Sequence, residues 1–384
     1  MSAATPQATE FRAGLEGVVA TVTGLSDVDG QAGELILRGF PLREIAGRAT
    51  FEELVYLFWH GDLPTAPQLA SFRAALAARR ALPQATHQLL AAAAARGLPP
   101  MDALRMAVDS LGLELAARED DLAVATGLVA RLPVIVAAYS RARSGLPPVA
   151  PDPALGQAAN YLFMLSGEPP SEARVRALDT YLNTVIDHGL NASTFAARVI
   201  IATQSDLVSA IVGALGALKG PLHGGAPGPA LDMVFAIGSA ERAEPELRAR
   251  LERGERLMGF GHRVYKTRDP RADVLAAAAA RLFDAGAGDP QLYALVRAVE
   301  ERALALLEEY KPGRNLRPNV EFYTALLLHA LDLPPELFTP TFAVSRVAGW
   351  LAHCFEQQAA NRLIRPLSAY SGPRDRKWVA LEER

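Results

Sequence analysis

Apolar residues recur at three- and four-residue intervals along most of this chain, the spacing of helices that bury one face. Only the start differs. Between Gly17 and Phe40 a β-branched run (Val18, Val19, Thr21, Val22, Thr23) is followed by a turn signal at Asp29-Gly30 and by Leu35-Ile36-Leu37, which predicts a minor β-hairpin. From Pro41 the helical pattern takes over. Thr50 followed by Glu53 is a capping box, and the helix it opens carries Leu54, Tyr56, Leu57 and Phe58 before Gly61 and Pro64 end it. Further helices are predicted over about 65–81, 84–96, 101–111, 119–143 and 156–165, with Gly and Pro at several joins. Three more fit 171–219: the first ends near His188-Gly189, Asn191 or Ser193 caps the second, and Ser205 caps the third. Lys219-Gly220-Pro221 reads as a stop, a cation in the last turn followed by a C′ glycine and a helix breaker. Helices over about 226–239, 245–253, 270–284, 290–309, 320–331 and 340–358 complete the pattern, two of them opened by the pairs Asp269-Pro270 and Asp289-Pro290. The expected fold class is all-α, with that one hairpin near the N-terminus.

Composition narrows the function. The 384 residues suffice for one large domain or two, and half of them are hydrophobic, as in a soluble globular protein. A formal net charge of −3 argues against nucleic acid as the main partner. The single cysteine, Cys354, excludes a Cys-based zinc site and reads as a buried structural thiol. No signal peptide is evident, and the longest apolar run, Leu122 to Ala138, contains Arg131, so a cytoplasmic location away from membranes is expected.

Candidate chemistry concentrates in two glycine-rich breaks, Leu218 to Gly225 (LKGPLHGG) and Gly259 to Arg271 (GFGHRVYKTRDPR). Each lifts one histidine, His223 or His262, into a loop between helices, where a rigid scaffold can present it to a ligand. Arg271 falls in the first turn of its helix, where the macrodipole disfavours a cation unless an anion joins it; a carboxylate or phosphate ligand and an ion pair to Asp269 or Asp273 both fit. Arg263, Lys266 and Arg268 add positive potential beside it. His188 follows Asp187 at a helix end, whereas His60, His87, His329 and His353 sit within helical patterns and read as structural.

Taken together, GALKGPLHGGA, GFGHRVYKTRDPRA, DHGLNASTFAAR, PNVEFY, FAVSRVAGWLAH and NRLIRP, spread over nearly the whole chain, resemble the citrate synthase family. The resemblance implies a homodimer of mostly helical subunits whose two domains close over substrate. Here these would be a large domain of residues 1–222 and 331–384 and a small domain of residues 223–330. It implies condensation of acetyl-CoA with oxaloacetate and water to citrate and CoA through an enol, with no metal and no permanently bound cofactor, the CoA thioester being substrate. By the motifs they occupy, His223 would stabilise the enol, and His262 would polarise the keto group. His188, Arg271 and Arg346 would hold oxaloacetate, and Arg365 would reach the partner subunit's site. Lys266, Arg268, Lys311 and Arg314 are the candidates for the CoA phosphates.

One position departs from the family pattern. Its base is an aspartate in PNVD, and here Pro318-Asn319-Val320 leads to Glu321. Glutamate keeps the acid–base chemistry, but the extra methylene moves the carboxylate by roughly 1 to 1.5 Å, and about 1 Å of misplacement can cost on the order of 100-fold in rate. Three outcomes stay open: an ordinary synthase whose backbone has retreated, a slower enzyme or one preferring another acyl-CoA such as propionyl-CoA to give 2-methylcitrate, and a retired paralogue that only binds ligands. Pro227, where the family more often has Asn, and Arg317 are smaller departures nearby.

Overall fold

The computed structural model describes residues 11–115, 120–224, 227–261, 265 and 267–384. Strands β1 (Ser26–Asp29), β2 (Glu34–Leu37) and β3 (Phe40–Pro41) form an antiparallel sheet in the order β1-β2-β3, with Ser26 opposite Leu37. The first helices are α1 (Leu42–Ile45), α2 (Phe51–His60), α3 (Ala66–Ala78), α4 (Gln84–Ala95), α5 (Pro100–Ser110), α6 (Gly112–Leu115) and α7 (Asp121–Arg143). There follow α8 (Gln157–Ser166), α9 (Glu172–Val185), α10 (Ala192–Ile201), α11 (Leu207–Leu218), α12 (Pro227–Ile237) and α13 (Ala243–Glu252). The last are α14 (Pro270–Asp284), α15 (Pro290–Tyr310), α16 (Val320–Ala330) and α17 (Phe338–Ala359). Side-chain caps mark the starts of α2, α3, α7, α9, α10, α11, α14, α15 and α16. The Thr50–Glu53 capping box forms, and Asp269 and Asp289 each accept an amide hydrogen at the head of their helices.

Three local expectations are corrected. The β-branched run Val18 to Thr23 enters no strand pairing, and Val19 and Val22 are exposed; the first strand is the polar Ser26–Asp29, anchored through β2, whose Leu35 and Leu37 are buried. The hairpin forms with its turn after Asp29 and Leu35-Ile36-Leu37 in its second arm, as expected, but its first arm is shifted to Ser26–Asp29 and β3 adds a third strand. Asp206, not Ser205, caps α11, accepting from Ser209 N at 2.8 Å, because a carboxylate is a stronger acceptor for the helix amides. The stop after α11 falls where expected, with Lys219 as C-cap and Gly220 at C′, but Gly220 has no left-handed φ and the chain turns on directly toward His223.

The core is one continuous cluster running from the sheet to α17. Helix α7 is long and apolar enough to cross a membrane by length and composition, but 83% of its most apolar window is buried against protein, where α4, α5, α8 and α17 pack on it. Helix α17 crosses α9, α10 and α11 and presses on the turn after α9 at Gly349. A Cβ added at Gly349 would lie 2.2 Å from the Ile186 carbonyl oxygen. Gly349→Ala is therefore expected to destabilise the fold by about 1–3 kcal/mol, read as a lower urea midpoint; an unchanged midpoint would show that the two elements can separate freely.

Candidate active site

His223 sits in the turn after α11. The Gly220 carbonyl accepts from His223 N (2.9 Å) and Gly224 N (3.2 Å), and Thr339 Oγ1 on α17 donates to the Gly224 carbonyl at 2.6 Å. Gly224 must be glycine, since a Cβ there would lie 2.3 Å from the Leu218 carbonyl oxygen. The ring is oriented by the head of α10: Ser193 N donates to His223 Nε2 at 3.3 Å, and Ser193 Oγ lies 2.7 Å from the same atom. A backbone N–H can only donate, so Nε2 is the acceptor and the proton resides on Nδ1. Burial, and then the nearby Arg346 cation, push the imidazole below its ordinary pKa, so it is neutral at pH 7 with Nδ1–H as its donor.

Two buried guanidiniums stand across from it. Arg346 on α17 donates from Nε to the Val185 carbonyl (2.7 Å) and stacks over Phe342 at 4.5 Å. Burial lowers its pKa to about 10, Arg271 adds repulsion, and Asp187 is the first of the nearby groups that counteract. Arg271, in the first turn of α14, is gripped by Asp269 through Nε–Oδ1 (3.0 Å) and Nη2–Oδ2 (2.9 Å). The ion pair weighed from sequence is therefore real, yet buried rather than on the surface, and Arg271 still lines the cavity. His188 joins them, its Nε2 3.1 Å from the Tyr265 hydroxyl. Asp269 pairs with Arg271, and Asp187 and Glu321 act on Arg346, so the two guanidiniums line the cavity with carboxylates already beside them.

Glu321 completes the wall. Asn319 caps α16 by accepting from Glu321 N (3.0 Å), while its Nδ2 donates to the Gly261 carbonyl (2.8 Å). The same Asp269 that holds Arg271 accepts from Val320 N at 3.1 Å, so one carboxylate fixes both the arginine and the backbone that carries Glu321. Burial raises the Glu321 pKa to about 7, with Asp269 adding to the rise and Arg271 and Arg346 opposing it.

Two cavities meet at this residue. One, of about 330 Å³, is lined by His188, His223, Arg271, Glu321, Phe342 and Arg346. The other, of about 610 Å³, carries Arg256, Lys311 and Arg314 beside Leu257, Met258 and Phe260. Gly261, Asn319 and Glu321 line both. The buried guanidiniums suit the first to an anionic ligand, and Arg256, Lys311 and Arg314 suit the second to a ligand that carries an anionic group.

Of the residues expected from sequence, His188, His223, Arg271, Glu321 and Arg346 thus come together, and Lys311 and Arg314 line the adjoining cavity. Arg268 lines neither; it is paired with Asp273 and, at 3.1 Å, with Glu300. Arg365 lies exposed in the segment after α17 and lines neither cavity of its own chain. His262, Arg263 and Lys266 lie outside the described residues. Cys354 is buried and its thiol is pushed up to about 12 by burial, too high for a nucleophile. Sequence reasoning missed Tyr265 and Phe342 as neighbours of the site and weighed Asn191 and Ser193 only as caps; the polar Asn-Ala-Ser-Thr run shortly after Asp187-His188 is the signal that could have found the last two.

The site is a pair of adjoining cavities in a helical protein, lined by two buried arginines, a neutral histidine and a buried carboxylate, groups suited to anionic ligands and to acid–base chemistry. The family model "Citrate synthase, C-terminal domain" matches residues 14–367, and the chain belongs to the citrate synthase family. It is 43% identical to citrate synthase 2 of Bacillus subtilis over 97% of this chain and 98% of that one. It is 41% identical to the 2-methylcitrate synthase of Mycobacterium tuberculosis, over 96% and 92%. A solved ternary complex of carboxymethyl coenzyme A and oxaloacetate with the citrate synthase of Thermoplasma acidophilum matches with a TM-score of 0.86 at 31% identity, covering 98% of this chain and 100% of that chain.

Proposed function

We propose that this protein condenses acetyl-CoA with oxaloacetate and water, releasing citrate and CoA. The observation that carries the reading is Glu321 lining both cavities, with the neutral His223 and the two buried arginines around the smaller one. Oxaloacetate occupies the smaller cavity, its carboxylates on Arg271 and Arg346 with His188 beside them. The thioester enters from the larger cavity, with Lys311 and Arg314 serving the CoA phosphates. Glu321 takes a methyl proton while His223 Nδ1–H donates to the thioester oxygen, where charge develops. The enol carbon attacks the keto carbon, His262 supplies the proton to the new alkoxide, and water cleaves the citryl thioester. The Thermoplasma complex, whose two ligands are a CoA analogue and oxaloacetate, supports this pairing of substrates.

The same reading takes residues 1–222 and 331–384 as one domain and residues 223–330 as a second that closes on it. It also takes the protein as a homodimer in which Arg365 serves the partner's site. Exposed apolar side chains around Arg365, Leu363 at 55% and Leu367 at 87%, fit a tail that packs on a second copy. The similarity to a 2-methylcitrate synthase supports propionyl-CoA as an alternative acyl donor. Mass spectrometry of the product formed from oxaloacetate with each thioester separates the two: citrate formed faster is expected, 2-methylcitrate formed faster would reverse the assignment, and no product from either would leave a binding protein.

A pH profile follows from Glu321. The base acts only when ionised, so kcat/KM for acetyl-CoA is expected to rise about tenfold per unit below pH about 7 and level off above it. His223, with its pKa lowered, stays neutral across the upper part of that range and adds no opposing limb. For stability the sign is reversed: the raised folded pKa favours the folded state fully below the unfolded value of 4.5, and that contribution is lost as pH rises through about 7. A rate profile flat between about pH 5.5 and 8 would contradict the assignment.

A further inference from the structure

The turn that presents His188 is held from behind by residues that line neither cavity. Ser26 Oγ, on β1, donates to Asp187 Oδ2 at 2.5 Å and accepts from Gly189 N at 3.0 Å, so one hydroxyl spans the residues on either side of His188. The other oxygen of the fully buried Asp187 faces His353 Nε2 at 3.2 Å. That ring's direction is fixed as well. Arg198 Nη1 lies 2.7 Å from His353 Nδ1, and a guanidinium can only donate, so Nδ1 is the acceptor and Nε2–H points at Asp187. Arg198 is itself held by Glu356 (2.7 Å), Gln357 (3.2 Å) and Thr21 (3.2 Å). Burial alone would raise the Asp187 pKa, but His353, Arg346 and Ser26 outweigh it and hold the carboxylate below its ordinary range. A buried anion thus stands behind both His188 and Arg346, and its orientation is set by Ser26 on one side and His353 on the other.

We propose that Ser26, backed by Asp187 and His353, is a positioning residue for the dicarboxylate subsite, holding the His188 turn in register with Arg346. The inference rests on the functional reading above and gives the small N-terminal sheet a role, because β1 brings Ser26 to a turn 161 positions further along the chain. Ser26 touches no substrate in this scheme, and its effect is transmitted through Asp187 and Gly189.

Steady-state kinetics of the full-length protein test it. Ser26→Ala is expected to raise KM for oxaloacetate about tenfold, the scale of losing a hydrogen bond to a charged group, while KM for acetyl-CoA stays within about twofold. Ser26→Thr keeps the hydroxyl and is expected to restore the oxaloacetate KM to within about threefold of wild type. Unchanged oxaloacetate KM in a folded Ser26→Ala protein overturns the proposal. So does an equal loss for both substrates that Thr does not rescue, because that describes general destabilisation. Should Ser26→Ala not fold, Ser26→Cys keeps the volume but hydrogen-bonds weakly; a selective rise in its oxaloacetate KM supports the proposal, and an unchanged value overturns it. A wild type that neither turns over nor binds oxaloacetate by calorimetry removes the functional reading and this inference together, whereas an active wild type with an indifferent Ser26→Ala removes the inference alone.

Discussion

Replacing Glu321 with glutamine will lower oxaloacetate-dependent thiol release from acetyl-CoA by about 10³-fold or more, within the range a positioned general base contributes. The amide matches the carboxylate in size, so the wall between the cavities keeps its shape, and the Asn319 cap and the Asp269–Val320 contact act on the backbone and are untouched. Only proton acceptance is lost. Oxaloacetate affinity is expected to hold or improve, because Glu321 faces Arg271 and Arg346 and its charge competes with the substrate's. Calorimetry together with the thiol assay reads both quantities; comparable loss of binding and turnover would mean that the carboxylate holds the cavity together. Glu321→Asp separates reach from basicity: with the backbone fixed by Asn319 and Asp269, shortening the side chain is expected to cost on the order of 100-fold.

His223→Ala will abolish the same activity to within background, a loss of at least 10²- to 10³-fold, roughly that of removing one donor at a developing oxyanion. The ring's Nε2 is occupied by the Ser193 amide, so Nδ1–H is the donor left for the thioester oxygen. The arginines lie on α14 and α17 and do not depend on this ring, so oxaloacetate binding should survive. Thiol release retained by the alanine variant would overturn the role assigned to His223.

The helices were legible wherever a cap coincided with the apolar period. Thr50 with Glu53, Asp269-Pro270 and Asp289-Pro290 mark helix starts that the structure reproduces, and the predicted 290–309 helix ends within one residue of the observed one. The first strand was misplaced because Val18 to Thr23 has the right side chains but no strand to pair with, whereas Ser26–Asp29 is polar and becomes a strand through pairing with β2, whose leucines enter the core. His223, Arg271 and Glu321 stand out through the Gly, Pro and Asn residues that punctuate their turns. Arg346 lies within an otherwise apolar helix, and only its motif singled it out. Arg268 looked like a ligand because it is a cation in a loop; its partner Glu300 is 32 positions on, packed on α15. Asp187, His353 and Arg198 form one buried chain in which His353 stands more than 150 residues from both its partners, and periodicity carries no information at that range.

The central claim is that one pair of adjoining cavities binds a keto-dicarboxylate and activates a thioester beside it. The most direct measurement is the initial rate of free-thiol release by the wild-type protein from acetyl-CoA, with and without oxaloacetate, at a pH above 7 where Glu321 is ionised. The account predicts release that depends on oxaloacetate and saturates with it. Release indifferent to oxaloacetate, or none in either case, would contradict it.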